Sequence, residues 1–279
     1  MYLAHFGMAE MPFSLTPDPS YFFRFAGHQE AFNVLLVALQ GGEGFVKITG
    51  EVGTGKTLLC RTLLDALDDH YVTAYLPNPL LEPLALYRAV AAELGLAELQ
   101  WDDSHGLMKR IVAHLLKVTE SGRRVVLCLD EAQSMSDASL EALRLLSNVE
   151  TTKRKLLQIV LFAQPELDER LAGHELRQLR QRLAFGYRLK PLDRSATCGY
   201  VAHRLRTAGC DTPLFSRAAL KKLHRCSGGI PRLINVIGHK ALLAAYGRGA
   251  ERVGRGQVVA AARDTEGVRC GGLFGLGFL

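Results

Sequence analysis

The chain has 279 residues, of which 48% are hydrophobic, 22% are charged and 8% are aromatic. This composition is ordinary for a globular protein, so disordered, collagen-like and disulfide-rich classes are excluded, and the length allows one large domain or two smaller ones. No run approaches the roughly 18 consecutive apolar residues of a membrane-spanning helix, and the first ten residues lack the pattern of a signal peptide, so we expect a cytoplasmic protein.

Charge is distributed unevenly along the chain. Residues 1–192 contain 20 Lys and Arg against 23 Asp and Glu, a net charge of −3, whereas residues 193–279 contain 14 against 5, a net charge of +9. We therefore expect a basic C-terminal module. The six cysteines contain no C-x-x-C pair and the nine histidines show no metal-ligand spacing, so neither a disulfide framework nor a zinc site is predicted.

The first 192 residues carry the pattern of an α/β domain. Residues 1–30 contain three prolines and an aromatic cluster in PFSLTPDPSYFF, which predicts an extended segment packed on a surface. The chain then alternates apolar runs typical of buried parallel strands with apolar residues at helical spacing. Strands are predicted at 45–49, 71–76, 124–129, 156–162 and 185–192, and helices at 31–40, 58–67, 82–96, 104–118, 137–149 and 166–183. This alternation predicts a five-stranded parallel sheet flanked by helices.

Beyond Pro191 the strand pattern stops. Helices are predicted at 194–208, 216–226, 231–246 and about 256–264, with Gly-rich or Pro-containing breaks between them. We therefore expect a small all-helical domain over residues 193–266. Residues 267–279 are left as a tail without predicted structure, because the last ten residues, CGGLFGLGFL, are uncharged and include four glycines.

The segment after the first predicted strand reads Gly50-Glu51-Val52-Gly53-Thr54-Gly55-Lys56-Thr57, with Leu58 following in the next predicted helix. It fits the phosphate-binding pattern G-x-x-x-x-G-K-[ST] and has the strand before it and the helix after it that the pattern requires. Its glycines allow backbone N–H groups to point at phosphate oxygens, and the helix adds the positive end of its dipole. Lys56 is placed to reach the β- and γ-phosphates, and the Thr57 hydroxyl is a ligand for Mg²⁺.

Two carboxylates follow the most apolar of the predicted strands. Asp130 and Glu131 come directly after the run at 124–129, where that strand leaves the sheet. Asp130 is predicted to hold hydrated Mg²⁺, and Glu131 to polarise the attacking water as general base. An acidic surface turn is the alternative interpretation of this pair.

Further polar residues extend the predicted site. Gln164 follows the predicted strand at 156–162, so it is either a residue that orients the water or an ordinary loop contact. The helix predicted at 166–183 ends with Arg177, Arg180 and Arg182. These form either a solvated basic face or an arginine finger for a neighbouring subunit's nucleotide. Arg232 follows Gly-Gly-Ile-Pro at a predicted helix start, from which it can fold over the phosphates.

In this order the motifs resemble those of AAA+ ATPases. The opening GMAEMPFSLTPDPSYFF, with HQEAFNVLLVAL, LDEAQ at 129–133 and GGIPRLIN at 228–235, is similar to the ExeA/GspA-type secretion ATPases and to the ATPase-like proteins of mannose-sensitive haemagglutinin (MSHA, type IV) pilus biogenesis. The resemblance covers about residues 1–266. It implies a P-loop NTPase fold whose helical domain is a lid.

The resemblance also implies cofactors, site residues and partners. It implies ATP and Mg²⁺, Walker A at residues 50–57 and Walker B at Asp130 and Glu131. It places sensor 1 at Gln164, sensor 2 at Arg232 and the finger at Arg182, with Arg177 as the alternative. It further implies a homo-oligomeric ring that acts at the inner face of the bacterial inner membrane through pilus or secretion assembly proteins. The longer members carry a membrane span and a peptidoglycan-binding part, which do not transfer to this chain.

Three functions are compatible with these features. The first is an ATPase that drives assembly of a pilus or secretion apparatus. The second is a DNA-acting AAA+ ATPase of the transposition or replication-initiation type, because the basic C-terminal module can neutralise backbone phosphates. The third is a nucleotide-binding scaffold without turnover, which the presence of Glu131 disfavours.

Overall fold

The computed structural model describes residues 2–96, 103–150, 154–266 and 268, and the chain divides into two units. An α/β unit comprises 26–52 and the described residues of 56–190, and a helical unit comprises 2–25, 53–55 and the described residues from 191 onward. The predicted tail at 267–279 therefore lies outside the described residues except for Val268. Residues 2–25 group with the helical unit, whereas the sequence pattern had assigned them to the α/β domain.

The elements follow one another in the order expected of an α/β domain with a helical C-terminal part. They are α1 (Tyr2–His5), a 3₁₀ turn (Pro19–Tyr21), α2 (Ala26–Gly41), β1 (Phe45–Gly50), α3 (Lys56–Ala66), β2 (Tyr71–Leu76), α4 (Pro83–Glu93), α5 (Ser104–Glu120), β3 (Arg124–Leu129), a 3₁₀ turn (Ala132–Ser134), α6 (Asp137–Leu146), β4 (Leu157–Ala163), α7 (Glu166–Ala172), α8 (Arg177–Arg182), β5 (Leu183–Leu189), α9 (Arg194–Thr207), α10 (Arg217–Ser227), α11 (Pro231–Tyr246) and α12 (Arg255–Arg263).

The α/β unit is built on a five-stranded parallel sheet with the strand order β2-β3-β4-β1-β5. Alternate residues of β3 face opposite sides: Val125 and Leu127 join the apolar cluster that includes residues of α4, α5 and α6, whereas Val126 is buried on the other face. Both faces are covered, so β3 is apolar at every position except its first, Arg124. The predicted parallel sheet flanked by helices is confirmed.

The carboxyl ends of β1, β3 and β4 lie at one edge of the sheet. The pairing of Thr49 with Ala163 and of Leu129 with Leu161 aligns these three strands. In open α/β sheets, ligands bind outside the carboxyl ends of the strands. The segments that follow β1, β3 and β4 are therefore the ones that build the site.

Two predicted segments differ from the structure. The single helix predicted at 166–183 is interrupted, because α7 ends at Ala172 with Gly173 in an extended conformation and α8 starts only at Arg177. The segment predicted as extended over 1–30 contains the short helix α1, and α2 already starts at Ala26.

The helical unit has its own apolar core. Buried side chains of α9, α10, α11 and α12 pack together, and Tyr2, Phe6 and Phe13 from the start of the chain join the same cluster. Arg204 of α9 is buried, and its guanidinium donates to the carbonyls of Pro12 and Ser14. These contacts explain why residues 2–25 group with this unit. Among the described residues, no helix is long and apolar enough to cross a membrane.

Candidate nucleotide site

The loop between β1 and α3 has the backbone that the phosphate-binding pattern requires. Gly53 and Gly55 adopt φ angles of 79° and 99°, which side-chain-bearing residues rarely adopt. The helix α3 begins at Lys56, directly after the loop, so the loop ends on a helix N-terminus. N–H groups and the helix dipole at such a position favour an anionic ligand.

Lys56, the first residue of α3, is buried, with 5% of its surface exposed. Its Nζ donates to the carbonyl oxygens of Gly50 at 2.7 Å and Glu51 at 3.1 Å. Burial lowers the pKa of Lys56, and the negative charges of Glu131 and Asp130 oppose that shift. A buried ammonium that is bonded to neutral carbonyls gains further stabilisation from an anionic group, so this lysine fits a phosphate ligand.

Thr57 and Asp130 meet across the site. The Thr57 hydroxyl donates to Asp130 Oδ2 at 2.5 Å, and the Glu131 backbone N–H donates to Asp130 Oδ1 at 3.0 Å. Asp130 is 2% exposed, and burial raises its pKa, although the hydrogen bond from Thr57 opposes this.

This hydroxyl and carboxylate are the oxygen ligands that Mg²⁺ prefers, and Mg²⁺ sites often use few protein ligands together with phosphate oxygens and waters. In the described part of the chain, no cluster of three or more His, Cys, Asp or Glu side chains forms a metal site of another kind. The two residues therefore fit Mg²⁺ that is bound together with a nucleotide.

Glu131 has an unusual backbone conformation. Its φ of 53° and ψ of 36° make it the only non-glycine residue with positive φ in the described part of the chain. Its Oε2 accepts hydrogen bonds from Gln133 Nε2 at 2.5 Å and from Gln164 Nε2 at 3.1 Å. A left-handed conformation at a non-glycine residue costs on the order of 1–3 kcal/mol and persists where surrounding contacts enforce it, which is common at functional sites.

Gln164 lies at the end of β4 and reaches the predicted base. Besides the bond from its side chain to Glu131, its backbone N–H donates to Gln133 Oε1 at 2.9 Å. The structure thus brings Lys56, Thr57, Asp130, Glu131 and Gln164 to one edge of the sheet. Gln133 was not predicted as a site residue, although it belongs to the LDEAQ segment at 129–133.

Arg182 lies at the opposite edge of the sheet. It ends α8, and the next residue, Leu183, pairs with Phe45 at the first position of β1. Its Nη1 contacts Ser147 Oγ at 3.4 Å. The six residues of β1 place this edge roughly 16 Å from the loop after Gly50. The structure does not bring Arg182 to the loop of its own chain, so its role toward a neighbouring subunit stays a prediction, as does that of the exposed Arg177.

Arg232 belongs to the helical unit. It is the second residue of α11, directly after Pro231, and its side chain is exposed. The structure confirms the predicted helix start at Pro231, where proline is favoured because it suits the first turn of a helix. The action of Arg232 on nucleotide phosphates remains a prediction.

Comparisons with known proteins place the chain in a family. Residues 39–171 match the model of the AAA domain. Over its full length the chain is 44% identical to General secretion pathway protein A of Aeromonas hydrophila, and it spans 51% of the length of that relative.

Solved structures share the fold at low sequence identity. Cdc6p from Pyrobaculum aerophilum superposes with a TM-score of 0.72 at 17% identity over 91% of this chain and 70% of its own. The ORC2 protein of Aeropyrum pernix gives 0.69 at 16% identity over 91% and 71%. The RuvB Holliday junction branch migration motor of Thermotoga maritima gives 0.56 at 17% identity over 85% and 68%. The sheet, the AAA domain match and the 44% identity over the whole of this chain together show that it belongs to the AAA+ proteins of the ExeA/GspA type.

Proposed function

We propose that the protein binds ATP with Mg²⁺ and hydrolyses the terminal phosphoanhydride bond, and that hydrolysis drives assembly of a pilus or secretion apparatus. One observation carries the enzymatic part. Glu131 follows Asp130 in the chain, and Asp130 accepts a hydrogen bond from Thr57. All three residues lie at the edge of the sheet where β1 and β3 end. This arrangement supports the assignment of a general base, a pair of metal ligands and a phosphate-binding lysine to one edge of the sheet.

Each side chain has a distinct task in this proposal. The loop N–H groups and Lys56 bind the β- and γ-phosphates of ATP. Thr57 and Asp130 hold Mg²⁺, which neutralises the charge that develops on the phosphate oxygens when it is bound. Glu131 accepts a proton from the attacking water, and Gln164 orients that water.

Two arginines complete the proposed assembly. Arg182 of one subunit stabilises the transition state at the nucleotide of the next subunit, which requires a homo-oligomer, a ring in our proposal. Arg232 reports the state of the phosphates to the helical domain predicted over residues 193–266, which serves as the lid.

The proposed pathway rests on the relative named General secretion pathway protein A. We place this chain in the cytoplasm, at the inner membrane through protein partners of a secretion machinery. Within that class we favour biogenesis of an MSHA-type pilus, on the resemblance of the opening segment and of the GGIPR motif. A direct test replaces the chromosomal gene with a Lys56→Ala allele. Loss of surface pili with normal protein secretion supports the pilus, and loss of secretion with intact pili assigns the general secretion pathway instead.

A DNA-acting ATPase is the second candidate, because the residues from 193 onward carry a net charge of +9. Protein contacts to DNA phosphates make binding and stimulation strongly salt-dependent. We expect ATP hydrolysis to change little when duplex DNA is added between 50 and 200 mM salt, a range in which such contacts lose on the order of 10³–10⁵ in affinity. Strong, salt-sensitive stimulation by DNA favours the second candidate.

The enzymatic proposal is tested with two variants and matched controls. Lys56→Ala should lose the thermal stabilisation by Mg²⁺·ATP, which is about 2.7 kcal/mol at a concentration of 100 times Kd. Glu131→Gln should keep that stabilisation and lose about 10²- to 10⁴-fold in kcat. Lys117→Ala and Glu120→Gln change exposed residues of α5 and should match the wild type. Normal turnover in Glu131→Gln removes this residue from the role of base.

A further inference from the structure

The side-chain amide of Gln133 bridges the ends of two neighbouring strands. Its Nε2 donates to Glu131 Oε2 at 2.5 Å, after β3, and its Oε1 accepts the backbone N–H of Gln164 at 2.9 Å, after β4. Both ends of one amide are therefore engaged. The two bonds also fix the orientation of the amide, because exchange of its oxygen and nitrogen would turn N–H groups toward the N–H of Gln164.

The turn that carries Gln133 is itself fixed from two directions. Arg170 of α7 donates from Nη1 to the Gln133 carbonyl at 2.9 Å, and the same guanidinium forms an ion pair with Asp137 at the start of α6. The Ser134 hydroxyl donates to the Glu131 carbonyl at 2.8 Å. The amide of Gln133 is thus presented to Glu131 by a backbone that neighbouring elements hold in place.

Glu131 needs such support, because its backbone alone does not determine where its carboxylate points. Two amide donors bind the same oxygen, Oε2, so they set the plane of the carboxylate and with it the direction of Oε1. A general base acts efficiently only when its acceptor oxygen is within hydrogen-bond reach of the proton that it removes. Gln133 is one of the two donors that set this orientation.

We propose that Gln133 is a positioning residue for the hydrolytic reaction: it holds the Glu131 carboxylate toward the water and couples it to the strand end that carries Gln164. This inference rests on the proposed function, in which Glu131 is the base. It adds a coupling between the base and the proposed sensor residue, because any displacement of the Gln164 backbone moves the N–H donor from which Gln133 Oε1 accepts, and thereby moves the Nε2 group that donates to Glu131.

The test is a double-mutant cycle on ATP hydrolysis by the full chain. Gln133→Met keeps the length of the side chain and removes both hydrogen bonds, and we expect kcat to fall about 10- to 100-fold with unchanged KM and unchanged thermal stabilisation by Mg²⁺·ATP. Because the amide acts through Glu131, Gln133→Met should add little to the loss already caused by Glu131→Gln. Gln40→Met, at an exposed position of α2, is the matched control.

A second variant separates the two ends of the amide. Gln133→Glu keeps an acceptor for the Gln164 N–H but replaces the donor to Glu131 by a like charge. We expect the Gln164 amide hydrogen to remain protected from exchange in Gln133→Glu and to exchange faster in Gln133→Met, while kcat falls in both. Unchanged protection in Gln133→Met shows that the bridge does not form and overturns the inference.

The remaining outcomes distinguish this inference from the proposed function. Losses that multiply across the cycle indicate an independent structural role of Gln133 and overturn the inference. A wild-type kcat in Gln133→Met also overturns the inference. In that case the proposed function still stands if the wild-type protein hydrolyses ATP and Glu131→Gln does not. Absence of hydrolysis in the wild-type protein removes the proposed function, and with it this role of Gln133.

Discussion

Asp130 and Lys56 are charged residues that the fold removes from solvent. Burial raises the pKa of Asp130 and lowers the pKa of Lys56, so in both cases it disfavours the charged form. Each charge partly compensates the other, and Thr57 donates to the carboxylate. The site is thus maintained at a cost in stability, which bound Mg²⁺ and phosphate would offset.

Asp130→Asn is therefore expected to stabilise the protein without nucleotide. Asparagine accepts from the Glu131 N–H and donates to the Thr57 hydroxyl, yet carries no charge. We expect a gain on the order of 1 kcal/mol, or roughly 2–4 °C in Tm, at neutral pH. The variant should at the same time lose the additional stabilisation that Mg²⁺ gives to bound ATP.

The pH dependence of this gain follows from the raised pKa. The folded protein keeps the Asp130 proton to higher pH than the unfolded chain. The protonated, uncharged Asp130 therefore contributes stability that is fully present below the ordinary pKa of 3.8 and is lost as pH rises through the raised pKa of the folded state. The advantage of Asp130→Asn should accordingly be absent near pH 3.5 and grow toward neutral pH in thermal or urea unfolding. Asp65→Asn, at an exposed position of α3, is the control. A pH-independent advantage contradicts this explanation.

At the scale of elements, the connection into the helical unit depends on two adjacent glycines with different surroundings. Gly229 has a φ of 77°, and a Cβ there would lie 2.0 Å from the Leu192 carbonyl oxygen, while the Leu192 N–H donates to the Gly229 carbonyl at 2.9 Å. Gly228 has a φ of 59° with no atom within 4 Å of the corresponding Cβ. The chain before α9 thus packs directly on the backbone before α11.

This contrast gives a matched pair of substitutions. Gly228→Ala should cost only the left-handed strain, about 1–2 kcal/mol. Gly229→Ala meets the same strain and in addition displaces the Leu192 backbone, so we expect a cost of at least about 3 kcal/mol and loss of cooperative unfolding of the helical unit. Chemical denaturation followed by circular dichroism measures both. Equal effects of the two substitutions contradict the role assigned to the Leu192 contact.

At the scale of the whole molecule, predicted site residues of the α/β unit lie at two opposite edges of its sheet. Lys56, Asp130 and Glu131 lie at the carboxyl edge of the sheet, whereas Arg182 lies at the amino edge. One chain therefore cannot apply Arg182 to its own nucleotide across the length of β1. If Arg182 acts in hydrolysis, a second copy must supply it.

Arg182→Ala should bind ATP normally and lose on the order of 10³ or more in kcat. Arg180→Ala, at an exposed position of the same helix, should hydrolyse ATP like the wild type. Mixing Arg182→Ala with Glu131→Gln should restore part of the activity, because the second variant supplies Arg182 to a subunit that retains its base. Mixed oligomers that form without any recovery would show that Arg182 does not act between subunits.

Much of the α/β unit follows from the sequence alone. The bounds of β2 and β3, Tyr71–Leu76 and Arg124–Leu129, match the predicted segments. A strand that is buried on both faces, such as β3, leaves a continuous apolar run, whereas β2 is a partly buried edge strand. The phosphate-binding loop could also be predicted from the sequence, because its residues are contiguous and its backbone conformation requires glycines. The carboxylates after β3 were predicted to join it because parallel strands end at a common edge.

Tertiary structure decided what depends on distant residues. The grouping of residues 2–25 with the helical unit arises from packing, to which Arg204 contributes through carbonyls about 190 positions earlier. The contact of Gln133 with the Gln164 N–H joins residues 31 positions apart on different strand ends. The sequence thus determined the strands and the loop, whose patterns are local, whereas the fold determined the orientation of Glu131 and the edge that holds Arg182, because both are set by strand order and register.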